Sequence, residues 1–388
     1  MKRKKNNNSV GRRKIVRRKT QSSAPAYVGE TIPIDLIIEI VSRLPAKSIA
    51  VFRCVSKQWA SLLQRPYFRE LFLTSSLSRP CPLFTLRIGN KWHFFSFPQP
   101  RDLGENLSVV ATDYQYHMSY CEDRYIDICQ SVNGFIYLNN IGRGRIVDTV
   151  NVICNPCTGQ HITLPKVRGK GKKKYVLRSF FGYDPIGKQF KVLCITMSYN
   201  RHSKPQVLTL GSGKLSWRKI ECSFTHYPKG DINGICINGV LYYIAYIENS
   251  YNKIICFDVR SEKFSFIEIQ NAELLTLINY KGKLGVVLRF EYGGLAELWV
   301  LDDAKKVKWS NHIFVLANPV LEGITTSIWA TDMGEIAWVS SRWTNPLCIS
   351  YYNLERQSVR TVDKLWIGRD HQESVFSFTD HVENLMFL

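Results

Sequence analysis

The sequence predicts an α+β multidomain chain in which a small N-terminal helical module precedes an all-β body with the repeated architecture of a β-propeller. Three observations carry this reading: an apolar pattern of helical period confined to residues 29–75, short strands punctuated by Gly, Asn and Asp beyond Phe84, and a spacing of hairpin signals that repeats along residues 76–388. The chain has 388 residues, of which 45% are hydrophobic and 22% charged, a composition that fits a globular protein and excludes a mainly disordered one. No apolar run approaches the roughly 18 residues of a spanning helix, so a membrane protein is not expected.

Charge is unevenly placed. The formal net charge is +20, and residues 1–20 contain ten Lys or Arg and no acid. Residues 1–28 therefore read as a basic disordered tail. Within it, Arg12, Arg13, Lys14, Arg17, Arg18 and Lys19 form a nuclear-import candidate, and a solvated tail is the plainer alternative. No stacking aromatics are interleaved with these cations, which argues against nucleic acid as the partner. A second basic cluster contains Lys166, Arg168, Lys170, Lys172, Lys173 and Lys174. Eleven scattered cysteines sit mostly inside apolar runs, and no secretory signal precedes them, so a reducing compartment, nucleus or cytoplasm, is expected. Cys154 and Cys157 have CxxC spacing, but Asn155-Pro156 and Thr158-Gly159 make that segment a turn rather than half of a metal site.

The helical module starts at Ile32. Pro33 is tolerated in a first turn, Asp35 and Glu39 lie toward the positive N-terminal half, and Pro45 stops the first helix. A second helix fits Ala46 to Arg53, and a third fits Lys57 to Gln64 with Ser56 as its N-cap, ended by Pro66. The first helix has more apolar surface than one buried face can use. With only about 45 residues the module is too small to bury it alone, so the excess packs against the rest of the chain or against another protein.

The residues themselves resemble a known module. The Ile32-Pro33 entry, Asp35-Leu36, Glu39-Ile40, Leu44-Pro45, Lys47-Ser48, Phe52-Arg53-Cys54-Val55 and Trp59 match the F-box in the form common in large plant families. Departures are conservative, with Ile32 where Leu is frequent and Ala50-Val51 where Leu or a basic residue is frequent. The resemblance implies docking on the Skp-type adaptor, and through it on a cullin scaffold and RING subunit. Ile32, Pro33, Leu36, Ile40, Leu44, Pro45, Val55 and Trp59 are the candidates for the docking surface and the module's own core, undivided between the two.

In the β region one class of hairpin tip falls at Asn133-Gly134, Asp184 to Gly187, Asn238-Gly239, Lys281-Gly282 and Met333-Gly334. A second class follows each, at Asn155 to Gly159, Gly211 to Gly213, Asp258 to Ser261, Asp302-Asp303 and Asn353 to Glu355. Two interleaved series of similar spacing define five four-stranded units. The leftover segments Leu83 to Phe97 and Val375 to Leu388 are expected to pair into a sixth, closing blade; a β-sandwich is the alternative. Gly182-Tyr183-Asp184-Pro185 with Lys191-Val192-Leu193, and Cys154 to Gln160 leading to Leu164-Pro165, look like the F-box-associated domain of plant F-box proteins.

No P-loop, dinucleotide fingerprint, zinc-protease or nucleophile-elbow motif is present, so no catalytic residue, metal or cofactor is assigned. The resulting expectation is a non-catalytic substrate receptor of an SCF-type cullin-RING ubiquitin ligase, with a nuclear nucleic-acid-binding protein as the alternative. Its target is unknown. Tyr114, Tyr116, His117, Tyr246, Tyr251, Trp329 and Trp343 are candidates for a recognition face on the loops.

Overall fold

The computed structural model describes residues 32–88, 91–96, 112–117, 124–142, 151–167, 176–197, 203–211, 213–229, 234–247, 252–269, 274–289, 295–304, 306–315, 326–340, 347–365, 376–378 and 381–386. The import candidates Arg12 to Lys19, the basic residues 168–174, Tyr251 and Trp343 lie outside them.

Four helices open the described chain: α1 (Ile34–Ser42), α2 (Ala46–Val55), α3 (Lys57–Leu63) and α4 (Pro66–Leu77). Ser56 caps α3 as expected, its hydroxyl accepting the Trp59 N–H at 3.2 Å. The fourth helix is not among the sequence expectations. Pro66 does end the helical run before it, but it also occupies the first position of α4, where a proline loses no hydrogen bond. Phe68 and Phe72 of α4 are buried with Ile38, Val41, Ile49, Leu62 and Leu63, which gives the four helices one core.

Six antiparallel sheets follow, arranged as a six-bladed propeller; the sandwich alternative does not hold. The first blade contains β1 (Leu83–Ile88), β2 (Lys91–Ser96) and β3 (Thr112–His117). The second contains β4 (Arg124–Val132), β5 (Phe135–Gly142), β6 (Asn151–Asn155) and β7 (Gln160–Thr163). In the third are β8 (Val176–Asp184), β9 (Gln189–Met197), β10 (Ser203–Thr209) and β11 (Arg218–Lys219). Blade four is built from β12 (His226–Pro228), β13 (Ile235–Ile237), β14 (Val240–Ile247), β15 (Asn252–Asp258) and β16 (Phe264–Glu268). Its first strand is split, since β12 and β13 both pair along one edge of β14. Blade five contains β17 (Leu274–Tyr280), β18 (Lys283–Arg289), β19 (Leu295–Asp303) and β20 (Lys308–Val315), and blade six β21 (Thr326–Ala330), β22 (Ile336–Ser340), β23 (Leu347–Asn353) and β24 (Ser358–Leu365). Finally β25 (Phe376–Phe378) pairs with β1 and completes the first blade as its innermost strand.

The closing blade was thus expected from the right segments, with two differences. Its outermost strand is β3, and residues 381–386 belong to no strand. Adjacent blades meet through apolar faces: Phe181 and Val192 pack with Tyr137 between blades two and three, and Ile278 and Val287 with Ile336 and Trp338 between five and six. At the seam between the last blade and the first, the Phe84 ring stands edge-on to Trp329 at 6.1 Å. Trp329, a candidate for the recognition face, is instead 1% exposed on the innermost strand of its blade. Its large apolar ring fills that seam.

Two buried histidines make this ring sensitive to acid. Burial drives the His381 imidazole down to about 3 and that of His226, hydrogen-bonded to the Tyr243 hydroxyl at 2.7 Å, down to about 4. Below pH 6.5 the unfolded chain takes up protons that the folded chain refuses, so stability falls as the pH drops from about 6.5 toward 3. The loss approaches about 1.4 kcal/mol per pH unit for each histidine. Urea midpoints measured at pH 7 and pH 5 are expected to show it, with His381→Gln flattening the slope.

Candidate docking surfaces

Most of the tight hairpins lie at one end of the ring and most of the long connections at the other. Asn133-Gly134, Asn238-Gly239 and Lys281-Gly282 are two-residue turns with positive φ at both positions, and they join the first strand of a blade to the second. The turns from third strand to fourth lie at the same end because the strands alternate in direction. Connections from second to third strand, and from each blade to the next, leave the other end, among them residues 143–150, 164–175, 316–325 and 366–375; residues 97–111, between the third and fourth strands of the first blade, connect at the tight-turn end. The four helices sit at the tight-turn end, where β1 begins. Cys157, in the hairpin between β6 and β7, packs against their core, and Lys188, in the hairpin between β8 and β9, pairs with Glu70 of α4 at 3.0 Å.

This layout separates two surfaces. On the helices, the structure divides the eight sequence candidates. Ile32 (58% exposed), Leu36 (52%), Ile40 (56%) and Val55 (65%) show their apolar side chains to solvent, and Pro33 and Pro45 are exposed too. Leu44 and Trp59 are partly buried against the module's own core, where the Trp59 ring lies 5.2 Å from that of Phe52. Leu36 and Ile40 stand one helical turn apart on α1, as Val51 and Val55 do on α2. Val51, 64% exposed, is a candidate that the sequence reading passed over as a mere departure from the usual pattern. Its position four residues before Val55 was the available signal.

At the opposite end of the ring the described residues include Tyr246 (41% exposed) near the end of β14, Leu295 at the start of β19 and Ile313 (65%) in β20. Tyr246 is thus the one recognition candidate whose described side chain is exposed at the long-connection end. For Tyr114, Tyr116 and His117, β3 gives a backbone position only, on the outermost strand of the first blade.

Residues 156–159 form the expected turn. Asn155 Oδ1 accepts the Cys157 N–H at 3.0 Å and its carbonyl accepts that of Gly159, while burial pushes the Cys154 thiol up to about 12. No group of three or more His, Cys, Asp or Glu among the described residues could hold a metal ion.

With this geometry in hand, comparison with known proteins is decisive. The model of the F-box domain matches residues 30–71, and that of the F-box associated beta propeller domain matches residues 81–382. The chain belongs to the F-box proteins. A relative from Arabidopsis thaliana, named as an F-box protein, is 54% identical over 98% of this chain and 80% of its own length. A second from the same plant is 55% identical over 92% of this chain and 94% of its own. The Arabidopsis F-box protein DOR is 42% identical, covering 92% of this chain and 94% of itself. In this F-box protein the exposed apolar residues of α1 and α2 lie within the F-box, and the ring is its F-box associated domain. The F-box implies a Skp-type adaptor as partner.

The C-terminal residues of the F-box protein press close to the ring at Gly134, whose φ is +82°. A Cβ there would lie 2.5 Å from both the Asn384 Cβ and the Val382 carbonyl oxygen. Gly134→Ala is therefore expected to lower stability by more than the ~1–2 kcal/mol of the left-handed conformation alone, as a reduced urea midpoint would show.

Proposed function

We propose that this F-box protein is the non-catalytic substrate receptor of an SCF-type cullin-RING ubiquitin ligase, its F-box held by the Skp-type adaptor and the long-connection end of its propeller holding the target. The observation that carries the reading is the exposed apolar set Ile32, Leu36, Ile40, Val51 and Val55 on a module whose core is already filled. A partner that covers the exposed half of each such residue gains about half of the ~1.5–3 kcal/mol of full burial. Placing adaptor and target at opposite ends lets both bind at once. The receptor's contribution is then positional, because tethering a target near a charged ubiquitin carrier raises effective concentration without any reacting side chain in this chain.

Co-expression of the full chain with a Skp-type adaptor is the direct test. A stable one-to-one complex is expected at physiological salt, and a chain that elutes alone sinks the proposal. Proximity labelling under proteasome block, comparing the intact chain with one lacking residues 29–75, would then identify the target. A nuclear location driven by Arg12 to Lys19 is part of the proposal, read by the distribution of the chain after deletion of residues 1–20. If that deletion instead removed a steeply salt-dependent affinity for nucleic acid, the alternative partner would be in view.

A further inference from the structure

We propose that the C-terminal segment, residues 381–386, is a positioning element that fixes the angle between the F-box and the propeller. The segment touches both bodies at once. Helix α2 begins after Pro45, which offers no capping side chain, and the N–H of Ala46 bonds instead to Glu383 Oε2 at 3.0 Å. A carboxylate at that end satisfies an orphan donor and complements the positive end of the helix. Two residues on, Leu385 packs into the core of the helices. Between them Asn384 is fully buried against the ring, its side-chain amide donating to the Asn133 carbonyl at 2.7 Å and its side-chain oxygen accepting the Met386 N–H at 2.7 Å. From the second blade, the Asn155 amide donates to the carbonyls of Asn384 at 2.9 Å and Met386 at 3.2 Å. His381 completes the link, since its carbonyl accepts the Cys81 N–H at 2.9 Å where the chain leaves the helices for β1.

The ring is shaped for this segment, because only a glycine at position 134 admits Val382 and Asn384 so closely. By contrast, the Lys188–Glu70 pair that also joins the two bodies is exposed on both sides, 64% and 54%, and a pair of that kind contributes at most about 1 kcal/mol. Glu383 and Leu385 thus engage the helices, while His381, Val382, Asn384 and Met386 engage the ring, His381 through the Ser131 hydroxyl at 3.3 Å. The consequence for transfer rests on the receptor reading, since the angle decides where a bound target lies relative to the adaptor; the coupling itself does not.

Single-molecule energy transfer on the full chain tests it, with dyes attached through unnatural amino acids at the exposed positions Gln58 and Asn311, without adaptor. The parent chain is expected to show one narrow population. Glu383→Lys combined with Leu385→Ala is expected to lose it in favour of a broad distribution, with the near-ultraviolet circular dichroism of the propeller retained. Glu383→Lys alone, which vacates no apolar volume, covers the case in which the double variant fails to fold, and is expected to broaden the distribution as well. Glu70→Ala is expected to leave it narrow. A parent-like distribution in Glu383→Lys, or broadening in Glu70→Ala alone, would overturn the proposal. Adaptor capture is measured separately, and its failure in the parent would overturn the receptor reading without touching this one.

Discussion

Replacing Leu36 and Ile40 together by aspartate is expected to weaken adaptor capture by at least about 10-fold while the chain melts at its original temperature. The two side chains lie on one stripe of α1, each more than half exposed, so their removal takes nothing from the core formed by Ile38, Val41 and Phe72. Being about half exposed, each would gain in a complex about half of the ~1.5–3 kcal/mol of full apolar burial, together about 1.5–3 kcal/mol or a factor of roughly 10–100 in affinity. Aspartate adds the cost of an unpaired buried charge. Titration calorimetry or quantitative pull-down reads the effect, and an unaltered dissociation constant would remove α1 from the interface. Leu44→Asp and Trp59→Ala are poorer tests of the same idea. Both residues pack against the module's own core, and lost capture in either variant would not separate docking from folding.

The second large effect is expected at the other terminus. A chain ending at residue 375 loses β25, and with it the innermost strand of the first blade. The unpaired edge of β1 is then open to association with other chains, and the burial of Phe378, Val382 and Asn384 is lost. Deleting one buried phenylalanine side chain already costs about 3–5 kcal/mol, against a total stability of roughly 5–15 kcal/mol. Soluble monomer is therefore expected to disappear on size-exclusion chromatography. A chain ending at residue 380 keeps the pairing of Phe376 with Thr85 and of Phe378 with Leu83. It should remain monomeric but denature at lower urea. Equal behaviour of the two truncations would show that ring closure does not depend on β25.

Much of this was legible in the order of residues because it is written locally. Asn-Gly and Lys-Gly pairs announce two-residue hairpins wherever the backbone must turn with positive φ, and their recurrence gave the blades. The apolar excess of the first helix likewise announced a surface that the module leaves uncovered. What the sequence hid was non-local or double-edged. Pro66 reads equally as the stop of α3 and the start of α4. Strand β3 follows a connection of residues 97–111 that separates it from its partner β2. Trp329 looked like a loop aromatic because the hairpin at Met333-Gly334 follows it closely, although strand alternation points it into the seam with Phe84. Above all, Ala46 and Glu383 are 337 residues apart, and no periodicity within either segment could reveal that one caps the other's helix.

The opposed ends of the ring also say how such a receptor can change over evolutionary time. Hairpins bound to the helices and to the terminal segment are held to fixed length and sense by their positive-φ turns and by contacts such as that of Gly134 with Asn384. Insertions at the far rim disturb neither blade pairing nor the adaptor joint, and lengthening a loop adds only a slowly growing entropic penalty. On the proposed receptor function, duplicated copies of the gene could therefore drift toward new targets at that rim while each keeps the same adaptor-facing helices.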